Sequence, residues 1–190
     1  NPYWLYFKEF SDYIRRVSYI NSQGRAVVPC GIYYPIREMS GCMVNGEETE
    51  SGMNLNSAFH EAMNSLLEHQ IDVDMIDRDC ILNSEICEGK LCVGKQQFEA
   101  ILIPSCIEAE EKLMDKLSFW QKNGGKILKY DVKNCTKTEQ IYEDAYCYPK
   151  DAWKKINELI DIDFKIFNGT GEEIYINHRV CDEKDNFFIC

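Results

Sequence analysis

The stretch that decides the fold runs Phe98-Glu-Ala-Ile-Leu-Ile-Pro104, then Ser105-Cys106, an amphipathic run to Trp120, then Asn123-Gly124-Gly125 and Lys126-Ile-Leu-Lys-Tyr130. Ala100 to Ile103 is continuously apolar, the pattern of a strand covered on both faces. Ala109, Leu113, Leu117 and Trp120 recur every three or four residues and predict one buried helical stripe. Gly124 or Gly125 can adopt the left-handed conformation that ends a helix, returning the chain to a second strand. Strand, helix, Gly-Gly and strand make one βαβ crossover, a unit that winds right-handed into parallel sheets. The fold class that follows is α/β: a mostly parallel, doubly wound sheet with helices on both faces.

Upstream, Trp4, Phe7, Phe10, Ile14, Val17 and Ile20 recur at helical spacing, with Gly24 beyond the helix end. Two readings of this aromatic stripe stand open: it packs on the sheet, or it faces a neighbouring domain. Ala26 to Tyr34 predicts a first strand whose paired portion begins at Cys30 and stops before Pro35. Residues 36–53 lack periodicity and predict a long loop at the carboxyl end of that strand, where open α/β sheets place ligands. Asn54 or Asn56 is the expected cap of a helix with the stripe Leu55, Ala58, Phe59, Ala62, Met63, Leu66 and Leu67. Val73 to Ile76 predicts the second strand, and Ser84 to Cys87 and Leu91 to Val93 a hairpin around Glu88-Gly89. Pro149 to Ile160 predicts a last helix on Trp153, Ile156 and Ile160. Lys165–Asn168, Glu173–Val180 and Asn186–Cys190 predict antiparallel ribbons. Residues 1–163 thus form the α/β domain with its amino-terminal helix. Residues 164–190 form a small β-rich extension, the start of a following β domain.

At 190 residues the chain suits one domain with an appendage. Its net charge of -11 argues against nucleic acid and against an anionic membrane surface. No apolar run approaches the roughly 20 residues that span a bilayer. The chain opens on Asn1 without a leader pattern and reads as a mature or excised segment. Of ten cysteines, nine are scattered through expected strands and their flanks and Cys42 sits in a loop, without a CxxC pair, which favours thiols in a reducing cytoplasm over a disulfide framework or a zinc site. The sequons Asn134-Cys-Thr136 and Asn168-Gly-Thr170 carry little weight without a secretory context. No phosphate-cradling motif is present, and neither a cofactor nor a metal is expected.

Cys106, between a buried strand and a helix, occupies the nucleophile position of class I glutamine-amidotransferase-like folds, where a helix amino terminus lowers a thiol's pKa. Its flanks, Ser105 and Ile107, are not the small residues that such a strained turn needs, and the later histidine, His178, sits in an expected strand. A buried or helix-capping role for Ser105-Cys106 is favoured over a catalytic one. Asp72, Asp74, Asp77 and Asp79 alternate across the second strand and its exit. Asp74 and Asp77 form a candidate carboxylate pair, set against a solvated acidic flank. His60 and His69 fall on opposite faces of one helix and cannot share a metal. Trp4, Tyr33 and Tyr34 have the faces to stack on sugar rings, with core packing as the default. A ligand rim, if there is one, is expected to draw on Tyr34, Glu47, Glu48, Asp74, Asp77 and Ser105.

Asn1-Pro-Tyr-Trp4, Tyr13-Ile-Arg-Arg-Val-Ser-Tyr-Ile20, Gly24 and the strand ending in Tyr34-Pro35 resemble the segment that follows the catalytic barrel in a family of large bacterial alpha-L-rhamnosidases. The resemblance continues through Ile71–Ile76, Glu88–Gly94, Phe98–Pro104 and Asn123–Ile127. His178-Arg179 and Asn186–Ile189 resemble the start of a downstream β-sandwich. It implies an amidotransferase-like, flavodoxin-like accessory domain inside a multidomain glycoside hydrolase. The implied partners are the barrel and sandwich domains of the same parent chain, with possible homo-oligomer contacts. The catalytic acid and base belong to the family's barrel, so no catalytic residue transfers. Two alternatives compete: a cysteine-dependent amidotransferase-like hydrolase using Cys106, and a sugar-binding module using residues 36–53.

Overall fold

The computed structural model describes residues 2–108, 110–134, 146–166 and 174–189. Ala109 of the helical stripe, Cys135-Thr136 and Asn168–Thr170 of the sequons, strand-like positions 167–168 and 173, and Cys190 lie outside the described residues.

After a 3-10 turn over Pro2–Tyr6 come α1 (Phe7–Ser22), β1 (Arg25–Ala26) and β2 (Cys30–Tyr33). Next are α2 (Ile36–Gly41), the hairpin β3 (Met43–Val44) and β4 (Glu47–Glu48), and α3 (Glu50–Leu67). β5 (Val73–Ile76) and α4 (Arg78–Leu82) follow. An antiparallel sheet then forms from β6 (Glu85–Cys87), β7 (Lys90–Val93) and β8 (Gln96–Phe98). The central crossover is β9 (Ala100–Pro104), α5 (Glu111–Lys122) and β10 (Lys126–Tyr130). β11 (Tyr146–Cys147), α6 (Ala152–Leu159), β12 (Ile176–Cys181) and β13 (Lys184–Ile189) complete the described chain.

The five-stranded sheet runs β11-β10-β9-β2-β5, and every pairing in it is parallel. Numbered along the chain, these strands lie in the order 2-1-3-4-5, so the winding reverses between β2 and β9. All five residues of β9 and all four of β2 are buried, which is why their sequences are continuous apolar runs rather than alternating ones. One face packs Cys30, Ile32, Leu102 and Leu128 against Leu55, Phe59 and Leu66 of α3 and Ile156 of α6. The other packs Tyr33, Ile101, Ile103 and Ile127 against Ile81 of α4 and Leu113, Leu117 and Trp120 of α5. Each such side chain contributes roughly 1.5–3 kcal/mol by leaving water. The chain is therefore α/β, with helices on both faces of a parallel sheet and smaller antiparallel sheets beside it.

Several expectations need correction. Residues 36–53 are not a structureless loop but α2, a hairpin with Asn45 and Gly46 at positive φ, and the first turn of α3. The α3 cap is Thr49, whose hydroxyl accepts from the Gly52 N–H at 3.3 Å, rather than Asn54 or Asn56. β8 adds a third strand to the expected hairpin because Phe98 is drawn into the second core. α1 has no buried residue, so its stripe does not pack on the sheet. Arg25–Ala26 leaves the first strand to pair antiparallel with β12. There Gly24, at φ +60, lies so close to Val180 that a Cβ would meet its carbonyl oxygen at 2.1 Å. Arg179 donates to the Gln23 and Gly24 carbonyls at 2.6 and 3.3 Å, fixing the end of α1 to the β12–β13 hairpin.

Candidate functional site

The carboxyl edge of the sheet collects the exits of β2, β5 and β9 around the reversal point, where open α/β sheets take ligands. α2 leaves β2 and brings Arg37 and Glu38; the exit of β5 brings Asp77, Arg78 and Asp79; the segment after β9 brings Ser105, Cys106, Glu108 and Glu110. The guanidinium of Arg78 forks onto the Glu110 carboxylate through Nε and Nη2. Its Nη1 also reaches Asp79 at 2.5 Å. Arg37 donates to the same Glu110 at 3.0 Å. The Arg78 guanidinium holds the Glu110 carboxyl below its ordinary range, and Arg37 adds to the effect. Both arginines are thus matched by carboxylates and do not form an open anion site.

Beneath this network lies a small polar cluster. One Glu38 oxygen accepts from the Glu108 N–H at 2.9 Å, and the other is buried without a hydrogen-bond partner. The Tyr130 hydroxyl is also buried and unpartnered. Burial pushes the Tyr130 hydroxyl's pKa up, and Cys106, Glu38 and Tyr33 push it the same way. Tyr33 is raised by burial first and by Glu38 second. Cys106, Glu38, Tyr33 and Tyr130 therefore share one neighbourhood.

Of the sequence candidates, Ser105 is buried and its hydroxyl accepts from the Val132 N–H at 3.2 Å, tying the β9 exit to the β10 exit. It caps no helix: α5 begins at Glu111 behind Glu110, so neither Ser105 nor Cys106 belongs to its first turn. His178 has Nδ1 on Asp163 and Nε2 on Asp185 at 2.8 Å, with its ring stacked on Phe187 at 4.2 Å. Neither ring nitrogen is left to serve a thiol. Asp77 caps α4 by accepting from the Cys80 N–H at 2.8 Å, which lowers its pKa. Asp74 is pushed up by burial and bonds Gln96 instead, so the two carboxylates serve different partners. Tyr34 sits edge-on to Phe59 at 5.4 Å, while Glu47 and Glu48 lie exposed on the β3–β4 hairpin. Tyr33 is core, and Trp4 is 70 % exposed. His69 stacks on Trp153 at 3.8 Å, and His60 meets Phe59 edge-on. Arg37, Glu38, Arg78, Glu108 and Glu110 were not singled out from the sequence; their signal was position, within six residues of the ends of β2, β5 and β9.

Among the described residues no three His, Cys, Asp or Glu side chains are placed to hold a metal ion. None of the eight described cysteines is in a disulfide, and no described helix is long and apolar enough to cross a membrane.

No family model matches the chain. Over 207 aligned positions, covering all of this chain, it is 24% identical to a protein of Formosa agariphila named "Putative beta-glucuronidase". The chain spans 16% of that relative's length. Among solved structures, Gan42B, a GH42 beta-galactosidase, covers 61% of this chain and 16% of its own at 12% identity, with a TM-score of 0.37. The sequence is thus similar to one stretch of a protein that bears a glycosidase name.

Proposed function

We propose that this chain is a non-catalytic domain of a longer carbohydrate-degrading glycoside hydrolase, amidotransferase-like and flavodoxin-like in form. In this reading α1 docks on the catalytic barrel of the same parent polypeptide. The observation that carries it is α1 itself: a sixteen-residue helix with no buried residue, presenting Phe7, Phe10, Tyr13, Ile14 and Ile20 to the outside. Monomeric proteins rarely expose contiguous apolar patches of this kind without a partner. The likeness of the whole chain to a fraction of a much longer protein supports a same-chain partner. The resemblance to alpha-L-rhamnosidases and the likeness to a protein named for glucuronides agree on glycoside hydrolysis and differ on the sugar.

The rim supports the non-catalytic half of the reading, since Glu110 is committed to Arg37 and Arg78 and Asp77 to the cap of α4. The isolated chain, offered nitrophenyl glucuronides, galactosides and rhamnosides, is expected to release no nitrophenol. Turnover of any of these would overturn the proposal. Turnover abolished by Cys106→Ser would replace it with the thiol-hydrolase reading.

A further inference from the structure

The antiparallel sheet β6-β7-β8 carries two cysteines that neither the core nor the rim uses. Glu88 and Gly89, at φ +54 and +80, make the two-residue turn that fixes the register of β6 on β7. That register pairs Ile86 with Leu91, and both side chains pack into the second core. Alternation along each strand then puts Glu85, Cys87, Lys90 and Cys92 together on the outer face. Cys87 stands opposite Lys90 and Cys92 opposite Glu85, so the two cysteines are diagonal neighbours. Their thiols are hydrogen-bonded to each other, and Cys92 also reaches the Lys90 carbonyl at 3.9 Å. Of the eight described cysteines Cys87 alone is exposed, and Cys92 is half-buried beside it. The ribbon itself is held in place: Leu91 is fully buried, and the Gly89 carbonyl accepts from Trp120 Nε1 at 2.9 Å. Two thiols are thus kept in contact on a fixed hairpin, one of them open to solvent.

We propose that Cys87 and Cys92 are a redox modification site, a dithiol that a small disulfide of the glutathione type converts reversibly to a cross-strand disulfide. Cys87, the open thiol, attacks one sulfur of the small disulfide as its thiolate; a Cys87–glutathione bond forms and one glutathione leaves. Cys92 then gives up its proton and attacks the Cys87 sulfur, expelling the second glutathione. The two protons released by the protein end on the two glutathione thiols, so the protein loses two electrons and the small disulfide gains them. The environment assigns the order. Burial first and the Cys87 thiol second hold the Cys92 proton on, which suits the thiol that acts second. Diagonal residues across a ladder stand about 7–8 Å apart at Cα, whereas disulfides span at most about 6.8 Å. Closing this bond therefore pulls the strands together and strains it, and strained disulfides are the easily reduced ones. The pair is a reversible mark rather than a staple. None of this depends on how α1 is docked.

The test incubates the reduced 190-residue chain with glutathione disulfide, blocks the remaining thiols with iodoacetamide and maps tryptic peptides by mass spectrometry. Cleavage after Lys90 puts Cys87 and Cys92 on different peptides, so a bond between them appears as a joined pair, and fragmentation tells Cys87 from Cys80 on the same peptide. The expected product is that pair, without retained glutathione, and excess reduced glutathione should return both thiols. Cys92→Ser, which lacks the second thiol, should keep one glutathione on Cys87. Cys87→Ser should slow the reaction of the Cys92 thiol by about tenfold or more, because a half-buried thiol that holds its proton is the poorer nucleophile. The peptide map of the parent chain decides alone if a variant does not fold. The proposal falls if the parent keeps glutathione on Cys87, if either cysteine joins a different one, or if neither thiol reacts. It falls equally if the bond forms and then survives excess reduced glutathione, the behaviour of a structural disulfide.

Discussion

At the scale of single residues, Gly125 and Trp120 show how a strand-connecting turn is specified. A Cβ on Gly125 would sit 2.2 Å from the Trp120 ring, which is fully buried and donates through Nε1 to the Gly89 carbonyl at 2.9 Å. The indole has no free volume to retreat into, so Gly125→Ala should lower stability by about 1–3 kcal/mol, the usual cost of overpacking a core. Urea denaturation with an unchanged slope would check it; a loss under about 0.5 kcal/mol would show that the ring can move. Asp72 makes a different prediction. Its carboxyl is pushed up to about 6, by burial first and with Asp74 and Asp163 adding, while the Val73 N–H and Asn177 amide oppose the shift. The unfolded carboxyl titrates near about 3.9, so between these values the folded state holds a proton the unfolded state has lost. Stability therefore falls as pH rises from about 4 to about 6 and carries the full penalty above. Asp72→Asn removes that penalty and keeps a side-chain oxygen to accept from the Val73 N–H, which Asp72 Oδ1 now accepts at 3.0 Å. Because Asp72 is partly exposed, the expected gain at pH 7.5 is only about 1 kcal/mol, shrinking toward zero at pH 4. Equal gains at both pH values would refute the burial argument.

At the scale of elements, what could be read in the sequence followed the strength of its periodicity. β9, α5 and β10 were legible because a doubly covered strand must be apolar throughout and its crossover helix must carry one stripe. Residues 36–53 were not, because their elements are short and held by tertiary contacts. α2 has six residues and none buried, and the hairpin has two-residue strands. Thr49 competes as a cap with two asparagines a few positions on, and what decides is where the chain enters the helix, not the side chain's intrinsic preference. The rim was hidden for a related reason. Arg37, Arg78 and Glu110 lie in three separate segments, and their ion-pair network exists only once the parallel sheet aligns the strand ends. The apolar stripe of α3 was legible for the same reason as that of α5: Leu55, Ala58, Phe59, Ala62 and Leu66 recur at helical spacing and are buried.

At the scale of the whole molecule, stability is distributed unevenly, and that unevenness bears on what the protein is for. Two apolar cores clamp the parallel sheet from opposite faces, so β9 and β10 cannot expose their amides without disrupting both. α1 contributes to neither core. Its internal support is the Trp4–Phe7 stack at 5.1 Å and the pairs Lys8–Asp12 and Asp12–Arg15 at 2.8 and 3.1 Å. Exposed helical pairs of this kind are screened by solvent and contribute little, and an isolated helix of this length is only marginally stable. A helix with this composition stays formed when its apolar face is covered. Native-state hydrogen exchange on the isolated chain should therefore find the α1 amides opening locally at low free energy, while those of β9 and β10 exchange only through global unfolding. Adding the proposed barrel partner should raise α1 protection and leave the sheet's unchanged. If α1 is already as protected as β9 in the isolated chain, then the helix has found cover of its own, and the argument for a docked partner loses its foundation.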